Sequence, residues 1–381
     1  MSFKSVLKTD EKWIADTWLK LDKKLSLTAV KSRYKTPYTT VNGTHDDRFK
    51  EDALAWTNGF WGGLMMLMYM ATGKDCYLQT AKVQEKRLDA AFNEMDRWHH
   101  DVGFMWHILS GVNYRLTGDR DSKNRNLIAA MSLMSRYNVA GDFIRCWNGN
   151  GEEDVSGWTI IDCMMNIPIL YWASDLIGDD RFKKIAMRHA DMTMKYHVRA
   201  DGSVNHIVMH DTGKPGAILG VKAGQGYSAS SSWSRGTAWA IYGFVISYIH
   251  TKKAEYLETA EKSAKFFIEK IKESGYLTKI DLCQPAKPEY YDSTAGVIAA
   301  SGLIEIAKLC AGDKADYYLN AAINILKITE KKWCDFTDKE DSVVQSGSEA
   351  YSFGINKPII YGDYFFTEAM LKLKGNGFLV W

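Results

Sequence analysis

The chain has 381 residues, 46% of them hydrophobic and 25% charged, the proportions of an ordinary soluble globular protein. A formal charge of +2, with no basic stripe in any segment, argues against a nucleic-acid partner. The longest apolar run, FWGGLMMLMYMA at 60–71, is too short to cross a bilayer, and MSFKSVLKTDEKWIADTW at the N-terminus holds no apolar core of signal-peptide length.

In chain order the predicted elements fall into pairs. Residues 9–25 carry a charged face and form a first, outer helix. The apolar segment TNGFWGGLMMLMYMA then meets the turn ATGKD, GFMWHILSGVNY meets LTGDR, and IDCMMNIPILYWAS meets LIGDD. Further on, RGTAWAIYGFVISYI meets HTKKAE, STAGVIAASGLIEIAKL meets CAGDK, and YGDYFFTEAML meets LKGNG. In most copies a glycine supplies the left-handed end of the apolar helix, and an aspartate favours the start of the next. After the turns come helices with a charged face, such as AEYLETAEKSAKFFIEKIKES. Helices apolar on all sides are buried on all sides, so six inner and six outer helices predict an all-α, closed (α/α)6 barrel over residues 1–381. An open helical solenoid is the alternative. The strongly apolar inner set, and a C-terminus that stops on an inner helix able to close against the first, argue for the ring.

The links are lopsided. Those after the inner helices are short, whereas those before them (26–55, 138–157, 199–232, 276–292 and 335–360) are long and are expected to lack secondary structure of their own. Long loops of that kind are usually functional, so a funnel is expected around the inner-helix N-termini. Polar and aromatic residues gather there: Trp56 and Asn58, His100 and Asp101, Trp158 and Asp162, then Trp233, Arg235 and Trp239, Asp292 and Ser293, Tyr361 and Asp363. Helix capping accounts for some of the aspartates but poorly for the tryptophans or Arg235. Carboxylates beneath tryptophans suit carbohydrate chemistry, because aromatic faces cover the C–H faces of sugars while carboxylates move protons.

Other chemistries find little support. The six cysteines (Cys76, Cys146, Cys163, Cys283, Cys310, Cys334) are scattered singly, which suits reduced thiols in the cytoplasm. No metal is expected: HExxH is missing, and the adjacent His99 and His100 should point to different sides of a turn or helix. Neither a phosphate-cradling loop nor a Gly-x-Ser-x-Gly elbow is present.

At this point the segments HDVGF (100–104), WTIIDCMMNIPILYWAS (158–174), SSWSRGTAWAIYGF (231–244), DSTAGVIAASGLIEIA (292–307) and YGDYFFTEAM (361–370) become specific. They resemble the unsaturated glucuronyl hydrolases of glycoside hydrolase family 88, from about residue 40 to the C-terminus and in the same order. The resemblance implies an (α/α)6 barrel acting on lyase-generated disaccharides whose non-reducing sugar is a Δ4,5-unsaturated uronic acid. It implies Asp162 as catalytic acid and base and Asp101 as the second essential carboxylate. It also implies that Trp56, His100, Trp147, His206, Gln225, Arg235 and Trp239 contact substrate. The chemistry would be protonation of C4 of the enol ether, addition of water at C5, and opening of the hemiketal, which needs no cofactor. That carboxyl must carry a proton when substrate arrives, which a neighbouring carboxylate and partial burial favour and a helix N-terminus opposes. Some relatives resemble one another in a Ser-x-x-Ser-x-Lys segment that receives a sulfate; here SFGINK keeps Ser352 and Lys357 but has Ile355 at the middle serine. The nearest alternative is an unsaturated rhamnogalacturonyl hydrolase. Sugar epimerisation and a non-catalytic protein-binding toroid are more distant ones, and the oligomeric state is not legible.

Overall fold

The structure, a computed structural model, describes residues 3–149 and 151–381. Its outer helices are α1 (Phe3–Lys31), α3 (Asp75–Leu88), α5 (Arg120–Ser135), α7 (Asp180–Tyr196), α9 (Ala254–Lys272) and α11 (Gly312–Trp333). Its inner helices are α2 (Phe60–Thr72), α4 (Val112–Thr117), α6 (Pro168–Ile177), α8 (Ser234–Thr251), α10 (Ser293–Leu309) and α12 (Ile360–Leu373). The ring closes at both radii: α12 packs on α10 and on α2, and α1 packs on α11 and on α3. This is the (α/α)6 barrel, and the solenoid alternative is set aside by that closure.

The inner helices are buried on every side because they carry no polar face to turn outward. Residues 60–68 of α2, 234–247 of α8 and all of α12 are buried. Three hinges end as the glycine pattern requires, with Gly73, Gly118 and Gly178 at φ 69°, 75° and 69°. Asp119 and Asp179 then cap α5 and α7 through the backbone N–H groups of Ser122 and Arg181. The fourth hinge puts Lys252 in the left-handed region without a glycine, and at the fifth Gly312 opens α11 where a C-cap was expected. At the C-terminus Trp381 stacks on Phe365 (5.9 Å, 6°) and donates its indole N–H to Glu368 (2.8 Å).

Three expectations are corrected. The first outer helix is 29 residues long, because its charged face continues well beyond residues 9–25. The second and third inner helices do not begin as α-helix: α4 is entered through a π-helix, Gly103–Gly111, and α6 through a 3-10 turn, Ile161–Met165. The long links are not structureless. They carry the hairpins β1 (Thr40–Val41) with β2 (Thr44–His45) and β3 (Tyr137–Asn138) with β4 (Phe143–Ile144). An antiparallel sheet of β5 (Trp158–Ile160), β6 (Ile207–His210) and β7 (Ile218–Lys222) joins the end of the 138–157 link to the link at 199–232. Pairing between links satisfies backbone groups that a bare loop would leave to water.

Candidate active site

The inner-helix N-termini and the long links share one end of the barrel, where a cavity of about 340 Å³ opens; its wall includes Tyr38, Trp56, His99, Asp101, Trp147 and Glu349. Trp56, on a 3-10 turn before α2, is half-buried and held by the rings of Phe60 (5.7 Å), Phe104 (5.3 Å) and Tyr361 (5.1 Å). Trp147, also half-buried, leans on Trp158 at 6.1 Å. Two aromatic surfaces therefore face the same space.

Asp101 sits in a turn just ahead of the π-helix, and its carboxylate is surrounded by donors. Oδ2 lies 3.2 Å from His99 Nδ1 and 3.2 Å from His100 Nε2, and Oδ1 accepts the Asn166 amide at 3.1 Å. The expectation that the two histidines diverge is thus overturned: residues 98–101 form a turn and no regular helix, so neighbours in sequence need not oppose each other. Burial alone would raise the Asp101 carboxyl, but His100, His99 and Asn166 together hold it below the usual carboxylate range. His100, almost wholly inaccessible, is pushed down to about 4 by burial. Burial alone would lower His99, but its bond to Asp101, the charge of that carboxylate and the Leu54 carbonyl together move it upward.

Asp162, within the 3-10 turn that opens the third inner helix, is not part of the cavity wall, but it is brought to Asp101 by Asn166. The Asn166 amide nitrogen bonds both the Asp101 carboxylate and the Asp162 carbonyl (3.3 Å), while its oxygen accepts the Phe104 N–H at 2.9 Å. Both aspartates act electrostatically on His100. Gly103 is required here, since a Cβ would stand 2.7 Å from the Asn166 backbone. His206, on the loop just before β6, places Nε2 3.6 Å from Asp162 Oδ1, beyond hydrogen-bond length, with its ring 4.3 Å from that of Trp233. Neither atom has a hydrogen-bond partner among the described residues.

Structural bonds account for Asp292 and Asp363. Asp292 caps α10 through the Thr294 N–H, and Asp363 accepts Ser342 Oγ and the N–H groups of Val343 and Val344. Neither was assigned a site role.

Three expected substrate contacts, Trp239, Arg235 and Gln225, sit elsewhere. Trp239 has no exposed surface and packs on Phe104 (5.1 Å) and Phe365 (5.5 Å); its position one turn into α8 carries it below the mouth into the core. Arg235 is 1% exposed: it pairs with Asp292 at 2.8 Å, donates to the carbonyls of Ser348 (2.5 Å) and Glu349 (2.8 Å), and lies 4.4 Å from the Trp233 ring. Burial alone would lower its pKa, but Tyr361, Asp292 and Asp162 more than offset that. Gln225 joins it, giving its amide to the Glu349 carbonyl (2.5 Å) and its own carbonyl to the Tyr351 N–H (2.9 Å). Arg235 and Gln225 thus grip the backbone of a tight hairpin, residues 347–357, whose ends are bonded through Gly347 and Lys357. That grip puts Glu349 in the cavity wall, where its carboxylate takes Lys357 at 2.9 Å. Tyr38, His99, Asn166 and Glu349 went unassigned in sequence. Asn166 alone carried a signal, one helical turn beyond Asp162 in the I-I-D-x-M-M-N motif.

Residues 29–303 match the family model described as Glycosyl Hydrolase Family 88. The chain is 33% identical to the unsaturated glucuronyl hydrolase of Bacillus sp. strain GL1, over 85% of this chain and 87% of that one. It is 29% identical to the unsaturated chondroitin disaccharide hydrolase of Streptococcus pyogenes serotype M1, over 92% and 88%. The crystal structure of an unsaturated glucuronyl hydrolase from Bacillus sp. GL1, described as responsible for the degradation of glycosaminoglycan, superposes with a TM-score of 0.86 at 28% identity. That superposition spans 93% of this chain and 96% of the other.

Proposed function

The chain belongs to Glycosyl Hydrolase Family 88 and is a glycosidase, and on that premise we propose the reaction and the residues that perform it. It releases a Δ4,5-unsaturated uronic acid from the non-reducing end of lyase-generated disaccharides of the glycosaminoglycan type. The observation that carries this is the convergence of Asp101 and Asp162 on Asn166, whose amide bonds the carboxylate of the first and the backbone carbonyl of the second, with both aspartates acting on His100.

In this reading the sugar lies against Trp56 and Trp147, whose faces shed water over the C–H surface of the rings. Asp162 delivers a proton to C4 of the enol ether, and the cation that develops at C5 and the ring oxygen is stabilised by the ionised Asp101 close by. The Asp162 carboxylate then takes a proton from the water that adds at C5. The hemiketal so formed opens and lets go of the second sugar. His206, whose free nitrogen stands beside Asp162, contacts the uronate or the incoming water. Arg235 and Gln225 act at one remove, by fixing the hairpin at residues 347–357. Residues 1–381 form one catalytic unit. Because Lys357 is already matched by Glu349, and Ile355 offers no hydroxyl, acceptor sugars without a sulfate fit best. Six unpaired cysteines support a reducing, cytoplasmic setting, and among the described residues no helix is long and apolar enough to cross a membrane.

The test follows the ultraviolet band of the conjugated uronate in an unsaturated chondroitin disaccharide. Loss of that band in step with release of the hexosamine supports hydration. Release with the band intact means ordinary hydrolysis at C1 and refutes it.

A further inference from the structure

Three carboxylates line the cavity, and each has a different counter-ion. Glu349 faces Lys357 at 2.9 Å, and Asp52 faces Arg97 at 3.7 Å. Asp101 touches no lysine or arginine among the described residues; its basic neighbours are His99 and His100. The remaining cation of the wall, Arg48, is paired with Glu51 (2.6 Å), and Arg136 is committed to the carbonyls of Trp98 and Arg145. Asp101 is therefore the one wall carboxylate whose charge is balanced by a group able to titrate near neutrality.

Of the two rings, geometry selects His99. His100 is buried and its Nδ1 has no partner among the described residues, so a neutral ring with its single proton on Nε2, facing Asp101 at 3.2 Å, leaves only a lone pair unsatisfied. His99 differs. Its Nε2 lies 3.0 Å from the Leu54 carbonyl, which can only accept, so that nitrogen always carries a proton. Its Nδ1 has two partners at the same 3.2 Å: the Asp101 N–H, which requires a lone pair, and the Asp101 carboxylate, which requires a proton. Gaining or losing one proton at Nδ1 thus exchanges one contact for the other while the ring stays in place.

We propose that His99 is a positioning residue that sets the charge of the cavity floor: its doubly protonated ring neutralises Asp101, so that an anionic sugar is admitted, and capture weakens when the Nδ1 proton leaves. The inference rests on the reading that the substrate carries a uronate carboxylate. With His99 protonated the His99–Asp101 pair is neutral. Without that proton the carboxylate keeps only the neutral neighbours His100 and Asn166, and its negative charge stands uncompensated in the wall that the uronate must approach. Burial alone would lower the protonation equilibrium of His99, and Asp101 with the Leu54 carbonyl raises it.

Two measurements test this on the full chain. In the first, KM for an unsaturated chondroitin disaccharide is followed against pH for the wild type and for His99→Gln, whose amide can still reach the Leu54 carbonyl. KM of the wild type is expected to rise about tenfold per pH unit above the His99 pKa, and this limb is expected to vanish in H99Q. A limb that persists unmoved in H99Q overturns the proposal. In the second, the His99 imidazole resonance is titrated by NMR in the wild type and in Asp101→Asn. The pKa is expected to coincide with the wild-type KM limb and to fall by at least one unit in D101N; a value unchanged in D101N overturns the proposal. If the disaccharide is not turned over at any pH, the reaction reading fails, and the D101N titration still decides whether His99 and Asp101 share the proton.

Discussion

Asn166 is the smallest part of the molecule on which the site depends. One amide joins the Asp101 carboxylate, the Asp162 carbonyl and the Phe104 N–H, and so ties the segment 101–104 to the turn at 162–166. Asn166→Ala should leave a buried acceptor and a buried N–H without partners, lowering unfolding free energy by about 1–3 kcal/mol in denaturant melts. Turnover should fall with it; an N166A protein as active and stable as the wild type would dissolve the link between the two aspartates. Asp162→Asn cannot deliver a proton, so kcat is expected to drop on the order of 10²–10⁴-fold with the melting temperature nearly unchanged, as read by loss of the uronate absorbance. Position at the mouths of apolar helices marked Asp101 and Asp162 no more than Asp292 and Asp363; the resemblance to family 88 singled out the first two, and the structure finds the other two bonded to backbone N–H groups. His99 was not legible, because alternation of neighbouring side chains holds for a helix or strand, while residues 98–101 are a turn. The tryptophans show the other failure. Trp56 and Trp147 reach the cavity and Trp239 does not, and composition cannot separate them, since a buried indole and a sugar platform are the same residue.

Among the elements, the hairpin at residues 347–357 turns a long link into part of the wall. Its backbone is fixed by Arg235 and Gln225, and Gly354, at φ 64°, lies directly under the Glu349 side chain. Removing Arg235 would strand Asp292, which is wholly buried. Arg235→Ala should therefore cost about 3–5 kcal/mol in equilibrium unfolding, and a loss under 1 kcal/mol would contradict the pairing. Glu349→Gln releases Lys357 and removes a negative charge from the wall. The ratio of kcat/KM for 6-sulfated over unsulfated disaccharide should then rise on the order of tenfold, ~1.4 kcal/mol; an unchanged ratio would show that Glu349 does not face the second sugar. The sequence marked this link as functional by its length but not its hairpin, which depends on contacts with residues more than a hundred positions away. The π-helical entry at 103–111 was equally hidden, because it answers to Asn166 packing against Gly103.

At the scale of the whole molecule, the periodic hinges and all-round apolar helices made the closed barrel legible, since such helices have no other way to bury themselves. The same burial gives the protein a pH dependence. His45 and His197 are pushed down to about 3, and His100 and His210 to about 4, all by burial. Each stays neutral in the fold while the unfolded chain binds a proton below about 6.5, so stability present above pH 6.5 is lost as the pH falls toward 4. The loss approaches ~1.4 kcal/mol per pH unit for each histidine, and a melting temperature flat from pH 7 to 4.5 would contradict it. The proposed reaction asks the barrel to bring a proton donor to a carbon atom, and carrying it out in heavy water reads that step. Expected is a released uronate carrying one deuteron at C4, with the ultraviolet band gone; a product with its double bond intact and no deuterium at C4 would contradict protonation by Asp162.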